Sequence, residues 1–138
     1  MKEIYHCLWI NAQPETIFSA LTERDGLAGW WTKGVETEGK PGSVSTFRFR
    51  SGAFNKMKIQ VLEPTRIHWE CVDGHPEWIG THVLFEFRRD SDRVKLVFGH
   101  YGWREQTEYV GECSFHWAYY LTSLQQYCET GRGMPNEG

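Results

Sequence analysis

The strongest constraint on this chain is a change of hydrophobic period about three quarters of the way along it. From residue 43 to residue 101, apolar and polar residues alternate in SVSTFRFR (43–50), NKMKIQVLE (55–63), TRIHWECV (65–72), THVLFEFRR (81–89) and RVKLVFGHY (93–101). Alternation at period two is the signature of a strand with one buried face. The separators GKPG, RSGAF, EPT, VDGHPEW and RDSD carry turn chemistry, and strands joined by such short links form an antiparallel meander. The period then changes. In EYVGECSFHWAYYLTSLQQYCETGRG, Val110, Cys113, Trp117, Leu121, Leu124 and Cys128 recur at steps of three or four, which is one stripe of a helix. Gly131 supplies the stop and Pro135 lies beyond it.

Dimensions join the two halves of the pattern. A helix of about 22 residues is roughly 33 Å long, and a sheet of six or seven strands is about 24–29 Å wide. One helix can therefore cross the whole sheet. Upstream, EIYHCLWI (3–10) reads as the first strand, and a short strand is expected near Val35. In NAQPETIFSAL, Pro14 suits a first turn, with Ile17, Phe18 and Leu21 at helical spacing. ERDGLAGWW follows at once; Gly26 and Gly29 weaken it as a helix, so a helix-turn unit presenting Trp30 and Trp31 is expected. The fold expected over residues 1–138 is a single α+β domain. It is a curved antiparallel sheet of six or seven strands around a long C-terminal helix, with two short helices after the first strand.

Charge and cysteine usage narrow the function classes. A net charge of -3 gives no footprint for nucleic acid. Of the four cysteines, Cys7 and Cys71 fall in strands, and Cys113 and Cys128 lie fifteen residues apart on a helix, too far to bridge each other. No CxxC spacing occurs. With no signal-peptide pattern and no apolar run able to cross a membrane, the expected location is the cytosol.

The stretch HPEWIGTH sets His75 and His82 around a Glu-Trp pair, and His100 follows in VFGHYGW. If the last two strands turn at Asp90-Ser91-Asp92, Val83 falls opposite His100. Then Thr81, Val83, Phe85 and Phe87 share the helix-facing side with Val94, Leu96, Phe98 and His100. His82 points outward with Glu86 and Arg88. Two histidines on opposite faces cannot ligate one ion, so no metal is expected. His100 is left as a strand-end histidine or as the polar group of an apolar cavity. No G-x-S-x-G elbow, P-loop or dinucleotide fingerprint appears, and no cofactor is expected. Glu77, Glu105 and Glu108 could join His100 in acid-base chemistry.

Aromatic residues make up 15% of the chain. By parity Phe47, Phe49, Ile67, Trp69, Phe85 and Phe98 face inward, against Trp117, Tyr120, Leu121 and Leu124 of the long helix. They either fill a core or leave a ligand cavity between sheet and helix.

The stretches INAQPETIFSALTERDGLAGWWT, EWIGTHVLFEF, LVFGHYGW and HWAYYLTSLQQYCETGRG, in this order, resemble the START-like (Bet v 1-like, SRPBCC) superfamily. Within it they are similar to the branch related to the C-terminal domain of the Hsp90 ATPase activator, the AHSA1-like proteins. The resemblance spans almost the whole chain and implies a helix-grip architecture, commonly with an internal hydrophobic cavity. Members include lipid carriers, polyketide cyclases or aromatases, and co-chaperone domains. The co-chaperone itself carries a separate N-terminal domain that binds Hsp90; here nothing precedes the first strand, so Hsp90 is not expected as a partner.

The leading expectation is therefore binding of a hydrophobic or aromatic small molecule between sheet and long helix. Trp30 and Trp31 would sit at the cavity mouth, and His100, with Tyr101 or Tyr120, would orient the ligand's polar end. Val83 would complete the wall beside Phe85. The alternatives are a cyclase- or hydrolase-type enzyme using His100 as acid or base, and a protein-interaction module. A homodimer is compatible with each.

Overall fold

A computed structural model describes residues 3–138. Strand β1 (Glu3–Ile10) leads into helices α1 (Pro14–Thr22) and α2 (Arg24–Trp30), then β2 (Gly34–Glu36). The meander follows as β3 (Val44–Arg48), β4 (Phe54–Glu63), β5 (Arg66–Gly74), β6 (His82–Asp90) and β7 (Arg93–Tyr101). Helix α3 (Glu108–Thr130) closes the chain. The seven strands form one antiparallel sheet in the order β1-β7-β6-β5-β4-β3-β2. The architecture is the expected α+β helix-grip.

The β6–β7 register is the one that the period requires, with Val83 opposite His100 and Arg89 opposite Val94. Strands β4 and β5 depart from a simple ladder. Their pairing slips between Lys56 and Met57 and again between Ile59 and Val61. Each slip leaves one residue unopposed, which bends the strand and sharpens its twist. These bulges help to curl the sheet around α3.

Helix α3 has the start and stop that its sequence encodes. Thr107 caps the N-terminus by accepting from the Val110 N–H, and Gly131 ends it in the left-handed region at φ 84°. Its buried stripe is Val110, Cys113, Trp117, Leu121 and Leu124, joined by Ser123. The Ser123 hydroxyl donates to the Trp30 carbonyl at 2.8 Å and accepts from the Met134 N–H at 2.6 Å. It thereby ties α3 to both α2 and the C-terminal tail. No helix among the described residues is long and apolar enough to cross a membrane.

The ERDGLAGWW segment forms the short helix α2, which ends at Trp30 with Trp31 in the turn that follows. Its glycines serve close approach. A Cβ on Gly26 would lie 2.5 Å from the Ser19 carbonyl oxygen and 2.6 Å from the Ala20 Cα. Only a residue without Cβ lets α2 cross α1 at this distance. Gly111, on the exposed side of α3, meets nothing. Gly26→Ala should therefore cost about 1–3 kcal/mol in urea denaturation. Gly111→Ala should add up to about 1 kcal/mol, because only helix propensity changes there.

Candidate functional site

His100 stands one residue before the end of β7, fully buried, and a line of hydrogen bonds runs through it. The Trp117 indole N–H donates to His100 Nδ1 at 2.9 Å. An indole nitrogen can only donate, so Nδ1 is unprotonated and the ring proton sits on Nε2. That proton goes to Thr81 Oγ1 at 2.8 Å, and the threonine hydroxyl donates in turn to the Trp78 carbonyl at 2.6 Å. The Trp103 indole donates to the His100 carbonyl at 2.9 Å. Trp78 stands edge-on to the imidazole at 4.6 Å between centroids. Every polar atom of this buried group is thus occupied, and burial is the main cause that lowers His100 to about pKa 3. It is a neutral structural histidine with both nitrogens committed. It is not free to exchange a proton with a molecule in the interior, which is what the acid-base reading required.

A cavity of about 850 Å³ opens beside this line, within the range of ligand sites. Its wall comes from the β3–β4 hairpin between Phe49 and Asn55, the end of β5 and the loop through His75 and Trp78, and the N-terminal half of α3 from Tyr109 to Tyr120. Trp31 and Asn136 complete it. The loop over the cavity is pinned in place. The Thr107 hydroxyl donates to Glu77 Oε1 at 2.7 Å, and His75 stacks on Tyr109 at 3.9 Å between centroids. The Trp78 indole donates to Cys113 Sγ at 3.3 Å.

Of the residues that parity assigns to a ligand, Trp31, Phe49, Trp117 and Tyr120 border this space. Phe47, Trp69, Phe85 and Phe98 pack behind them, with Phe47 4.4 Å from Trp31 and Phe98 4.6 Å from Trp117 between centroids. Val83, Leu121 and Leu124 are sealed in the core. Trp30 is not at a cavity mouth. It is wholly buried and donates to the Ala20 carbonyl at 2.7 Å, because α2 turns it toward α1. Tyr101 lies on the outer face of the sheet, stacked on His82, so it cannot accompany His100.

The HPEWIGTH histidines diverge. His75 lines the cavity, whereas His82 Nδ1 meets His68 Nε2 at 2.9 Å on the outer face. Among the described residues no three metal-ligating side chains converge. Sequence reasoning did not assign Asn55, Tyr109, Glu112 or His116 to a site, although all four line the cavity. Asn55 was legible as an inward position by strand parity. Glu112 and His116 flank the buried helical stripe, four residues apart, and carry no signal of their own.

Comparison with known proteins bears on the family and the fold. Residues 11–129 match the family described as Activator of Hsp90 ATPase homolog 1-like protein. The solution structure of the Aha1 dimer from Colwellia psychrerythraea is 35% identical and superposes with a TM-score of 0.89, covering 96% of this chain and all of that one. A crystal structure of a Mesorhizobium loti protein has a TM-score of 0.80 at 18% identity, covering 91% of this chain and 95% of that chain. A Staphylococcus saprophyticus protein has a TM-score of 0.76 at 18% identity, covering 96% and 95%. These last two share the fold. No curated protein sequence matches the chain.

The buried imidazole has a pH signature. Below its ordinary value of 6.5, the unfolded chain takes up a proton at His100 that the folded chain refuses until about pH 3. Its contribution is complete above pH 6.5 and is lost progressively as pH falls toward 3. The full loss is on the order of 5 kcal/mol. In urea denaturation from about pH 7 to pH 4, wild type should lose stability more steeply than His100→Gln, by about 1.4 kcal/mol per pH unit at the acid end. Parallel profiles would contradict the assignment.

Proposed function

Because the chain belongs to the family of Activator of Hsp90 ATPase homolog 1-like proteins, we propose that it uses this frame to bind a hydrophobic or aromatic small molecule between the sheet and the C-terminal helix. The observation that carries the reading is the open cavity of about 850 Å³ walled by Trp31, Phe49, Trp78, Trp117 and Tyr120. A flat apolar guest gains roughly 25 cal/mol for each Å² of surface removed from water, before the costs of association. Aromatic walls add stacking geometry to that gain. His100 acts behind the wall: its bond holds the Trp117 ring at a fixed angle toward the guest.

The neutral fluorescent probe N-phenyl-1-naphthylamine should bind with one-to-one stoichiometry. Ala53, on the exposed hairpin at the cavity rim, gives a way to block the space without touching the core. Ala53→Trp should weaken the probe at least about tenfold while the urea midpoint stays unchanged. Equal binding by both proteins would place the probe elsewhere and remove the proposal's support. Native mass spectrometry of gently purified protein then identifies what the cavity carries from the cell.

A second reading, self-association, has its own observation. Phe115 is 76% exposed and Tyr119 48% exposed, one turn apart on α3, with Tyr119 at the cavity rim. The similar protein from Colwellia psychrerythraea was solved as a dimer. On this reading sedimentation equilibrium of wild type should fit a dimer, and Phe115→Glu should shift the mass toward the monomer by disrupting an apolar contact. A monomeric wild type would exclude it.

A further inference from the structure

The inner face of β4 carries Asn55, Met57 and Ile59 in alternation, all buried. Two of the three are what a core position wants. Asn55 is only 6% exposed, and its carboxamide oxygen is buried without a hydrogen-bond partner. It is the one such side-chain atom among the described residues. Native interiors rarely leave a polar atom in this condition, because an unmet acceptor keeps its desolvation cost. The backbone around it is tightly built. Asn55 pairs across Gly74 and Phe47, and a Cβ on Gly74 would lie 2.7 Å from the Phe54 carbonyl oxygen and 3.0 Å from the Asn55 Cα. Gly74, at φ 133°, is therefore held to glycine, and its backbone lies directly against Asn55.

Asn55 lies in the wall of the cavity. No hydrogen bond from a described residue reaches either end of its carboxamide, and the terminal torsion of asparagine is soft, so the group can turn its oxygen and its NH2 together toward a guest. A planar carboxamide is satisfied by a partner that offers one donor and one acceptor side by side. The rest of the wall limits what else the guest can be. The lining includes three indole rings, Trp31, Trp78 and Trp117, and one carboxylate, Glu112, but no lysine or arginine. A guest carrying a carboxylate, such as a fatty acid, would meet Glu112 and find no lysine or arginine to offset its desolvation.

Resting on the ligand-binding reading above, we infer that the guest is a neutral, planar aromatic molecule with an adjacent N–H or O–H donor and carbonyl acceptor on one edge, and that Asn55 pairs with that edge. Lactams, imides and ortho-hydroxyaryl carbonyl compounds have this arrangement. Asn55 is then the specificity-determining residue of the site, set apart from its other polar lining residues by an acceptor that no described residue satisfies. A satisfied polar pair discriminates more sharply than additional apolar contact does.

Three probes of similar size test the inference by isothermal titration: 2-quinolinone, with both groups; 2-methoxyquinoline, lacking the donor; and naphthalene, lacking both. Wild type should prefer 2-quinolinone by about tenfold over the other two. Asn55→Leu should bind all three alike. Its urea midpoint should be no lower than that of wild type, since an orphaned polar group has been replaced by an apolar one. A second measurement needs no variant: at saturation the Asn55 side-chain amide protons should move downfield with 2-quinolinone, as a new hydrogen bond requires, and should not do so with naphthalene, which offers no polar edge. Equal binding of the three by wild type, or a preference that survives in Asn55→Leu, overturns the role of Asn55 and leaves the cavity reading standing. Failure of all three to bind overturns both.

Discussion

The hydrogen bond between the Trp117 indole and His100 governs how the interior is arranged. An α-helix lying on a sheet can slide and rotate with little change in apolar contact, because the hydrophobic effect has no direction. A buried donor and acceptor do have direction, and losing either partner leaves the other unmet. The 2.9 Å bond from α3 to β7 therefore sets the helix rotation. The continuation through Thr81 to the Trp78 carbonyl carries the same constraint into the loop that covers the cavity. Burial holds the imidazole neutral, so no charge is present to be solvated and the line closes without a counterion.

From that rotation the site follows. With Trp117 turned toward β7, the flank of α3 bearing Glu112, His116 and Tyr120 faces the β3–β4 hairpin across open space. Trp31 links the two sides. Its ring lies 4.4 Å from Phe47, 5.1 Å from Trp117 and 5.9 Å from Trp69 between centroids. Aromatic density of this kind gives a rigid wall, since close-packed rings in offset and tilted contact have few alternative arrangements. The hairpin and the loop through His75 and Trp78 line the cavity, and the bulges between β4 and β5 add local twist to the strands that lead into them. The cavity lies between α3, the β3–β4 hairpin and the loop after β5.

The histidines illustrate how much a residue's role depends on its surroundings. His75, His82 and His100 lie within a short stretch of sequence, yet one stacks on a tyrosine at the cavity wall, one pairs with His68 on the outer face, and one is locked inside. Strand parity separates His82 from His100 correctly. It does not reveal that Trp117 would reach across to His100, and of the two readings that parity left open the committed ring nitrogens fit the strand-end histidine. The same limit applies to Trp30 and Trp31, adjacent residues with similar sequence signals. The crossing of α2 over α1, made close by Gly26, buries one fully and leaves the other at the cavity.

Periodicity determined the element order, the pairing of the meander and most of the buried helical stripe, in which Cys128 is only half-buried and Ser123 is buried in addition. The pairing of β1 with β7 came from the tertiary structure. The features that periodicity determined depend on local geometry, two residues per repeat in a strand and 3.6 in a helix, and local geometry is written in consecutive residues. The β6–β7 register came with it, because a slip of one residue would expose an entire apolar row. The cavity, the partners of His100, the depth of Trp30 and the unpaired oxygen of Asn55 were decided only in three dimensions. Each depends on side chains from distant segments, such as Trp117 meeting His100 or Gly74 lying against Asn55. It also depends on where packing is incomplete, and a void is a property of the whole assembly that no single segment encodes.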